Sequence, residues 1–234
     1  MKAIILAAGR GSRLNPIDLV VPKPMVRVGG IPVLEHTIEH MDSLGIRDIT
    51  ITVGHLSDVI TDYFGGGQRF GVRIRYSVED PDNLLGTAGG VKRAAVGWID
   101  KEPFVVWHGD NYSNCRIDRL IGPHKDREAD VTLITRWRSD VTHSGKLEWN
   151  ANNRLTQFKE KQGGGGGWVN CGIYVMSPSV IETLPTNGDF GKDVFPSMLA
   201  RKQRLFVHGL SHDEFFRWYD TPEDLAELRK DYAR

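Results

Sequence analysis

Ala3 to Ala8 are consecutive small or apolar residues that run straight into Gly9-Arg10-Gly11. A short apolar run closed by glycine predicts a strand over 2–8 covered on both faces, as in the middle of a parallel sheet. The segment opens like a secretory leader, with Lys2 ahead of the apolar residues. It is short, however, and Arg10 and Arg13 follow at once, so it reads better as a buried strand. The loop after it carries Pro16, Pro22 and Pro24, too much proline for a helix interior.

Downstream, Leu34, Ile38, Met41 and Leu44 recur at helical spacing and Gly45 offers a stop, which predicts a helix over 33–44. Strands are expected at 48–53, 72–76 and 104–107, and helices at 57–64 and 88–99. This alternation of strand, loop and helix argues for an α/β sheet. Further strands at 130–135, 172–176 and 205–209, and helices at 193–201 and 222–232, extend it. The chain has 234 residues, no internal repeat and no long linker, so a single domain over 1–234 is expected. Gly163 to Gly167 are five glycines in a row, read as a mobile loop that is costly to order.

Charge is balanced, with 30 Lys plus Arg against 30 Asp plus Glu. That argues against a dedicated nucleic-acid binder, which carries a basic excess. The balance hides a polarity, because residues 1–30 sum to about +4 and residues 211–234 to about −3. Cys115 and Cys171 fit no disulfide framework or metal spacing and read as small buried hydrophobes. No apolar run reaches the roughly 18–20 residues that span a bilayer. A soluble, reducing, cytoplasmic setting with no membrane partner is the default expectation, and a homodimer is compatible with it.

Chemistry concentrates in Leu6 to Pro24. A strand delivers the chain to a Gly-containing turn whose backbone N–H groups can wrap phosphate oxygens, with Arg10, Arg13 and Lys23 nearby in sequence. The dinucleotide fingerprint would need glycine at Leu14, and a P-loop would need Gly-Lys-Ser/Thr; both are absent. Pro22 and Pro24 bracket Lys23 and are expected to hold its backbone extended. Asp110, just past an apolar strand, stands where open α/β sheets bind ligands, and a hard oxygen ligand there suits Mg²⁺.

The segment Leu6-Ala7-Ala8-Gly9-Arg10-Gly11-Ser12-Arg13-Leu14 with Pro22-Lys23-Pro24 resembles the opening motif of the sugar-1-phosphate nucleotidyltransferases, L-A-x-G-x-G-T-R-L followed by P-K-P. Leu85 to Gly90 resembles the family's G-T-A-G segment, His108-Gly109-Asp110 its G-D motif and Phe158 to Lys161 its F-x-E-K. Trp168 to Tyr174 resembles N-x-G-x-Y, and Asp220 to Asp224 the terminal D-x-G-T-P-E-D. Six matches in order span nearly the whole chain.

The resemblance implies a three-layer, Rossmann-like fold with a mixed, mostly parallel sheet flanked by helices. It divides the chain into a nucleotide-binding part over about 1–135 and a sugar-phosphate-binding part over about 136–234. It implies transfer of a nucleotidyl group from an NTP to a sugar 1-phosphate, with Mg²⁺ as cofactor and these small molecules as partners. Arg13 would neutralise the leaving phosphates, Lys23 would bridge the α-phosphate and the sugar phosphate, and Asp110 would hold metal. Leu6, Ala7, Ala8, Gly9, Gly11, Ser12, Arg13, Glu79, Gly86 and Thr87 would face the nucleotide. Gly145, Glu160, Lys161 and Asn170, together with Lys23, would face the sugar phosphate.

Several departures bear on this reading. Asp220-Thr221-Pro222 is two residues shorter than the family pattern, so either Asp220 is the second metal ligand or Trp218 takes that register and Asp220 caps the last helix. Gln162 replaces a proline, and Ser144 an aromatic before Gly145. A carboxylate at Glu79 could accept the N1–H and N2–H₂ of guanine, whereas uracil offers one imide N–H, which tilts the reading to GTP. The short length resembles the heptose- or mannose-1-phosphate guanylyltransferases, and nearly as well the short uridylyltransferase that acts on N-acetylmuramate 1-phosphate. A UTP- or dTTP-using relative, a cytidylyltransferase for an alcohol phosphate and a non-catalytic nucleotide-sugar-binding subunit remain alternatives.

Overall fold

The computed structural model describes residues 1–11, 14, 21–142, 144–160 and 165–232. Nine strands form one sheet: β1 Lys2–Leu6, β2 Asp48–Val53, β3 Arg73–Val78, β4 Phe104–His108, β5 Val131–Arg138, β6 Gly145–Trp149, β7 Leu155–Glu160, β8 Gly167–Met176 and β9 Leu205–Gly209. The α-helices are α1 Val33–Ser43, α2 Ser57–Phe64, α3 Gly86–Ala95, α4 Asp118–Asp126, α5 Val180–Thr183, α6 Phe195–Ala200 and α7 Pro222–Tyr232. Strands β3, β2, β1 and β4 lie side by side and parallel. β8 then pairs antiparallel with β4, with β5 and with β6, and β7 closes a hairpin on β6. β9 runs parallel to β5 on the other branch.

The apolar opening run is explained by this placement. Ala3, Ile5 and Ala7 enter a core that includes Leu34, Ile38 and Met41 of α1, while Ile4 enters the opposite core with Ala88, Val91 and Ala94 of α3. With helices on both faces, neither side of β1 needs a polar residue. A third, smaller core joins Leu14, Val26, Val28 and Val33 to Tyr219, Leu225 and Leu228. It packs the stretch that follows Pro24 against α7, so residues early and late in the sequence share one core. Gly29 sits at φ +62°, and a Cβ there would overlap the Tyr232 ring, so this closure requires glycine.

Strand β8 is twice the length expected. Its register shifts between Asn170 and Tyr174, leaving a bulge. Asn170 Oδ1 accepts from the Gly172 N–H at 3.0 Å, and its amide donates to the Tyr174 hydroxyl at 2.7 Å. Gly172 has φ +69°, and a Cβ would come within 2.8 Å of the His108 ring. The bulge therefore lets β8 approach the end of β4, and its Asn and Gly interrupt the alternation that would have revealed the whole strand. The helix expected over 193–201 instead begins as a π-helical turn, Phe190–Val194, that passes into α6.

Glycines 163 and 164 lie outside the described residues. The rest of that run is not all loop, because Gly167 opens β8 and a Cβ on Gly166 would lie 2.8 Å from the Trp137 ring. No helix among the described residues is long and apolar enough to cross a membrane. Both cysteines are buried and unpaired by disulfide, and burial raises both thiol pKa values.

One buried group makes stability depend on pH. His124 of α4 is bonded through Nδ1 to Thr132 Oγ1 at 2.9 Å and through Nε2 to Ser177 Oγ at 3.1 Å, and burial pushes its pKa down to about 4. The neutral ring is favoured in the fold, so stability is full above about pH 6.5 and falls as pH drops toward 4. The slope is at most about 1.4 kcal/mol per pH unit, one proton taken up on unfolding. Thermal melts of wild type and His124→Gln from pH 7 to 4.5 should show the wild-type curve falling more steeply; parallel curves would contradict this assignment.

Candidate active site

The carboxyl ends of β1 to β4 converge on one cleft. A cavity of about 200 Å³ is lined by Leu6, Ala7, Ala8, Gly9 and Gly11 after β1, Thr52 of β2, Glu79 after β3, Leu84, Gly86 and Thr87 at the start of α3, and Lys23, Pro24, His108 and Asp110. Every described residue expected to face the nucleotide lies on this wall. Ser12 and Arg13 lie outside the described residues. The β1 turn is wedged tightly: the Ala7 N–H donates to Thr52 O at 3.1 Å and the Gly109 N–H to Leu6 O at 2.9 Å. A Cβ on Gly54 or Gly109 would approach the carbonyl oxygens of Ala8 or Leu6 at 3.0 Å.

A second cavity of about 220 Å³ shares Thr87, His108 and Asp110 with the first. Gly145, Glu160 and Asn170 line it, with Asp189, Trp218 and Asp220. The described residues expected to face the sugar phosphate are thus gathered in a separate space that opens onto the first, apart from Lys23, which lines the first cavity. Lys161 lies outside the described residues.

Lys23 sits at the junction. Its ammonium donates to Asp110 Oδ2 at 2.6 Å and to Asp220 Oδ1 at 2.5 Å, and its side chain is only 8% exposed. Burial opposes the Lys23 charge, but the two carboxylates outweigh it and hold its pKa above the usual lysine value. For Asp110 burial works the other way, yet the adjacent ammonium keeps its pKa below the ordinary carboxylate range. The lysine stem is seated by Gly11, at φ +62°, where a Cβ would lie 2.8 Å from Lys23 Cβ. Its ammonium lies 5.1 Å from the centre of the buried Tyr219 ring.

The backbone at Lys23 is not extended as expected. Pro22 carries the extended conformation, and Lys23–Met25 form one 3-10 turn with Pro24 in its first turn, where the missing N–H costs nothing. Arg10 is also reassigned: it pairs with Asp82 at 2.9 Å and donates to Pro81 O on the exposed rim, so its charge is partly answered there. Asp220 is not the cap of α7. Thr221 Oγ1 accepts from the Asp224 N–H at 3.2 Å, and Asp224 Oδ2 accepts in return from the N–H groups of Asp220 and Thr221. Thr221 caps the helix, which leaves the Asp220 carboxylate turned to Lys23.

Glu79 is buried, and one carboxylate oxygen accepts from the Leu85 N–H at 2.9 Å. Burial raises its pKa, against the pull of that N–H. A Cβ on Gly90 of α3 would lie 2.7 Å from the other oxygen, so glycine there makes room for the carboxylate. Thr87 donates to Asp189 Oδ2 at 3.0 Å and accepts from the Phe190 N–H at 2.9 Å, tying the start of α3 to the π-helical turn. Gly86, at φ +74°, permits that contact, since a Cβ would lie 2.4 Å from Gly188 O.

Asp189, Asn111 and Arg138 were not singled out from the sequence, and only spatial position reveals them. Asn111 donates to Cys171 O at 2.7 Å and braces the β8 bulge. His108 lines both cavities; burial lowers its pKa, against the pull of Asp110, so the ring is neutral.

A strand-end cleft with a Gly-containing turn and a lysine between two aspartates lies where open α/β sheets bind their ligands. Comparison with known proteins narrows this. The nucleotidyl transferase family model matches residues 2–234, and the chain belongs to that family. It is 35% identical over 94% of its length to UTP–glucose-1-phosphate uridylyltransferase of Synechocystis sp., covering 60% of that protein. It is 30% identical over 99% of its length to mannose-1-phosphate guanylyltransferase of Mycobacterium tuberculosis, covering 64% of it. Among solved structures, HddC of Yersinia pseudotuberculosis superposes with a TM-score of 0.84 at 25% identity, covering 99% of each chain. The same protein complexed with GMP-PN gives a TM-score of 0.83. The fold is the nucleotide-diphospho-sugar transferase fold these relatives share. The chain thus spans under two thirds of the length of the two sequence relatives.

Proposed function

We propose that this chain transfers a nucleotidyl group from an NTP to a sugar 1-phosphate and releases pyrophosphate. The observation that carries this reading is the pair of cavities that meet at the Lys23–Asp110–Asp220 cluster. The nucleotide occupies the first cavity, the sugar the second, and the acceptor phosphate and α-phosphate come together where the two share Thr87, His108 and Asp110. Residues about 1–135 supply most of the nucleotide side and residues about 136–234 most of the acceptor side. A phosphate oxygen of the acceptor attacks the α-phosphorus and pyrophosphate leaves in line; no proton need be removed from the nucleophile. The work of the protein is alignment and charge neutralisation. Lys23 lies between the two phosphates and neutralises both, and Arg13 meets the leaving phosphates.

The cluster suits a divalent cation. Asp110 and Asp220 present carboxylate oxygens to one point, and hard oxygen donors of this kind suit Mg²⁺, which takes one or two carboxylates and completes its shell with phosphates and water. Among the described residues no group of three or more His, Cys, Asp or Glu gathers to hold a metal by protein groups alone. Bound Mg²⁺ would neutralise phosphate charge and withdraw electrons from the α-phosphorus.

GTP is the donor we favour, with a mannose- or heptose-type acceptor. Glu79 lines the first cavity, and a carboxylate there could accept from the N1–H and N2–H₂ of guanine. Mannose-1-phosphate guanyltransferases recur among the relatives, and the relative named as a uridylyltransferase makes UTP the alternative. Pyrophosphate release with GTP, UTP, dTTP and CTP tests this. GTP should give the highest kcat/KM, and Glu79→Gln should lower that preference about tenfold. A UTP preference that Glu79→Gln leaves unchanged would overturn the base assignment. NTP and sugar-phosphate substrates suit a cytoplasmic enzyme with small-molecule partners, and a homodimer is compatible with this reading.

A further inference from the structure

The acceptor cavity carries a cation that the transfer reaction does not use. Four carboxylates line it as well: Asp110 and Asp220 meet Lys23, Asp189 is bonded to Thr87, Gly191 and Lys192, and Glu160 packs its carboxylate against Gly145 and Gly191. Arg138, at the end of β5, also lines this cavity, and among the described residues it has no carboxylate partner. It is nonetheless held in place. Its guanidinium lies 4.8 Å from the centre of the Trp218 ring and donates to Ser144 Oγ at 3.3 Å.

The surroundings add to this charge. Arg138 and Trp218 form the boundary between the acceptor cavity and a further space of about 390 Å³. Arg136 and Arg217 line that space, and Arg136 lies 5.9 Å from the centre of the same Trp218 ring and donates to Phe216 O. Burial, with Arg217 and then Arg138 nearby, lowers the Arg136 pKa. The carboxylates of α7 across this space answer only part of the charge: Asp231 pairs with Arg217 at 3.3 Å, Asp224 binds backbone at the helix start, and Glu227 is exposed. Two guanidiniums, those of Arg136 and Arg138, are left without a partner carboxylate among the described residues. The anomeric phosphate must lie at the Lys23 junction, so it cannot be what this pair is for.

We propose that the acceptor is a sugar 1-phosphate bearing a second anionic group, a carboxylate or a further phosphate, which Arg138 binds from its seat between Trp218 and Ser144. The inference rests on the proposed transfer reaction and names the class of its acceptor. A planar guanidinium pre-oriented by an aromatic ring gives an oxyanion two parallel hydrogen bonds. The adjoining space leaves room for the substituent that carries it. A hydroxyl at the same place would leave the guanidinium charge unanswered, and the preference for an anion should therefore be about 10- to 100-fold.

The experiment compares mannose 1-phosphate, mannuronic acid 1-phosphate and mannose 1,6-bisphosphate, by pyrophosphate release with GTP and UTP and, separately, by calorimetric binding. One or both acceptors that carry a second anionic group should bind at least tenfold more tightly than mannose 1-phosphate, and which one does so distinguishes carboxylate from phosphate. Arg138→Gln should bring the anionic-over-neutral ratio to about one, while Arg138→Lys keeps part of it, and thermal melts verify that both variants fold. Equal or weaker binding of the anionic acceptors, no binding of any of the three, or a ratio untouched in Arg138→Gln would overturn the proposal. Selective binding without pyrophosphate release would instead remove the transfer reaction and leave the anion site standing.

Discussion

Lys23→Ala should lower kcat by about a thousandfold, with a smaller change in the KM of either substrate. The reason is where the charge sits. Lys23 is buried at the junction of the two cavities, and its ammonium is the one described cation on the first cavity, where the proposed reaction brings two polyanions together. Electrostatic stabilisation of this kind, in a site shielded from water, is commonly worth two to five orders of magnitude. The same substitution leaves Asp110 and Asp220 facing one another without their shared partner. Like charges so placed repel, and the variant should melt at a lower temperature than wild type. If a divalent cation binds these two carboxylates as proposed, added Mg²⁺ should raise the melting temperature of Lys23→Ala more than that of wild type. Near-normal turnover in this variant would remove Lys23 from the chemistry. Identical Mg²⁺ shifts in the two proteins would separate the metal from the two aspartates.

Asp110→Asn should have an effect as large, a loss of about a thousandfold in kcat with the Mg²⁺ dependence shifted to much higher concentration. The amide keeps the shape of the carboxylate and removes its charge, so the fold is preserved while a hard anionic ligand is lost. Asp220→Asn tests the second carboxylate on its own. Thr221 and Asp224 already cap α7, so a loss of activity in Asp220→Asn cannot be put down to a frayed helix start. If Asp220→Asn titrated with Mg²⁺ as wild type does, Asp220 would be a partner of Lys23 only.

The parallel half of the molecule was legible in the sequence because its rules are local. The apolar run of β1, the spacing of α1 and the glycines after β1 announce themselves without knowledge of neighbours. The antiparallel half was legible only in part: strands at 130–135, 172–176 and 205–209 were expected, but the β6–β7 hairpin was not. In β6 and β7 charged residues alternate with buried ones, and the hairpin turns at Asn150, whose side chain accepts from the backbone of Asn152 and Arg154. In α4, Gly122-Pro123 is a turn signal that the packing of Leu120 and His124 overrides. The bulge at Asn170 to Tyr174 disguises half of β8. The site shows the same division. The motif residues that the structure describes line the two cavities, whereas Asp189 and Arg138 reach the second cavity from a π-helical turn and a strand end that carry no motif. The charge asymmetry between the two ends of the chain was visible in the sequence. Its consequence, a basic loop and an acidic helix joined through Leu14, Tyr219 and Leu225, was not.

In the proposed reaction two phosphorylated substrates react across the Lys23 junction. Phosphorus NMR of the protein with an NTP, a sugar 1-phosphate and Mg²⁺ tests it most directly. Pyrophosphate and the nucleotide-sugar diphosphate resonances should grow in equal amounts, and neither should appear when Mg²⁺ is chelated or Lys23 is replaced by alanine. Tight binding of a nucleotide sugar with no pyrophosphate formed in either direction, from any NTP, would contradict the account and mark the chain as a binding protein.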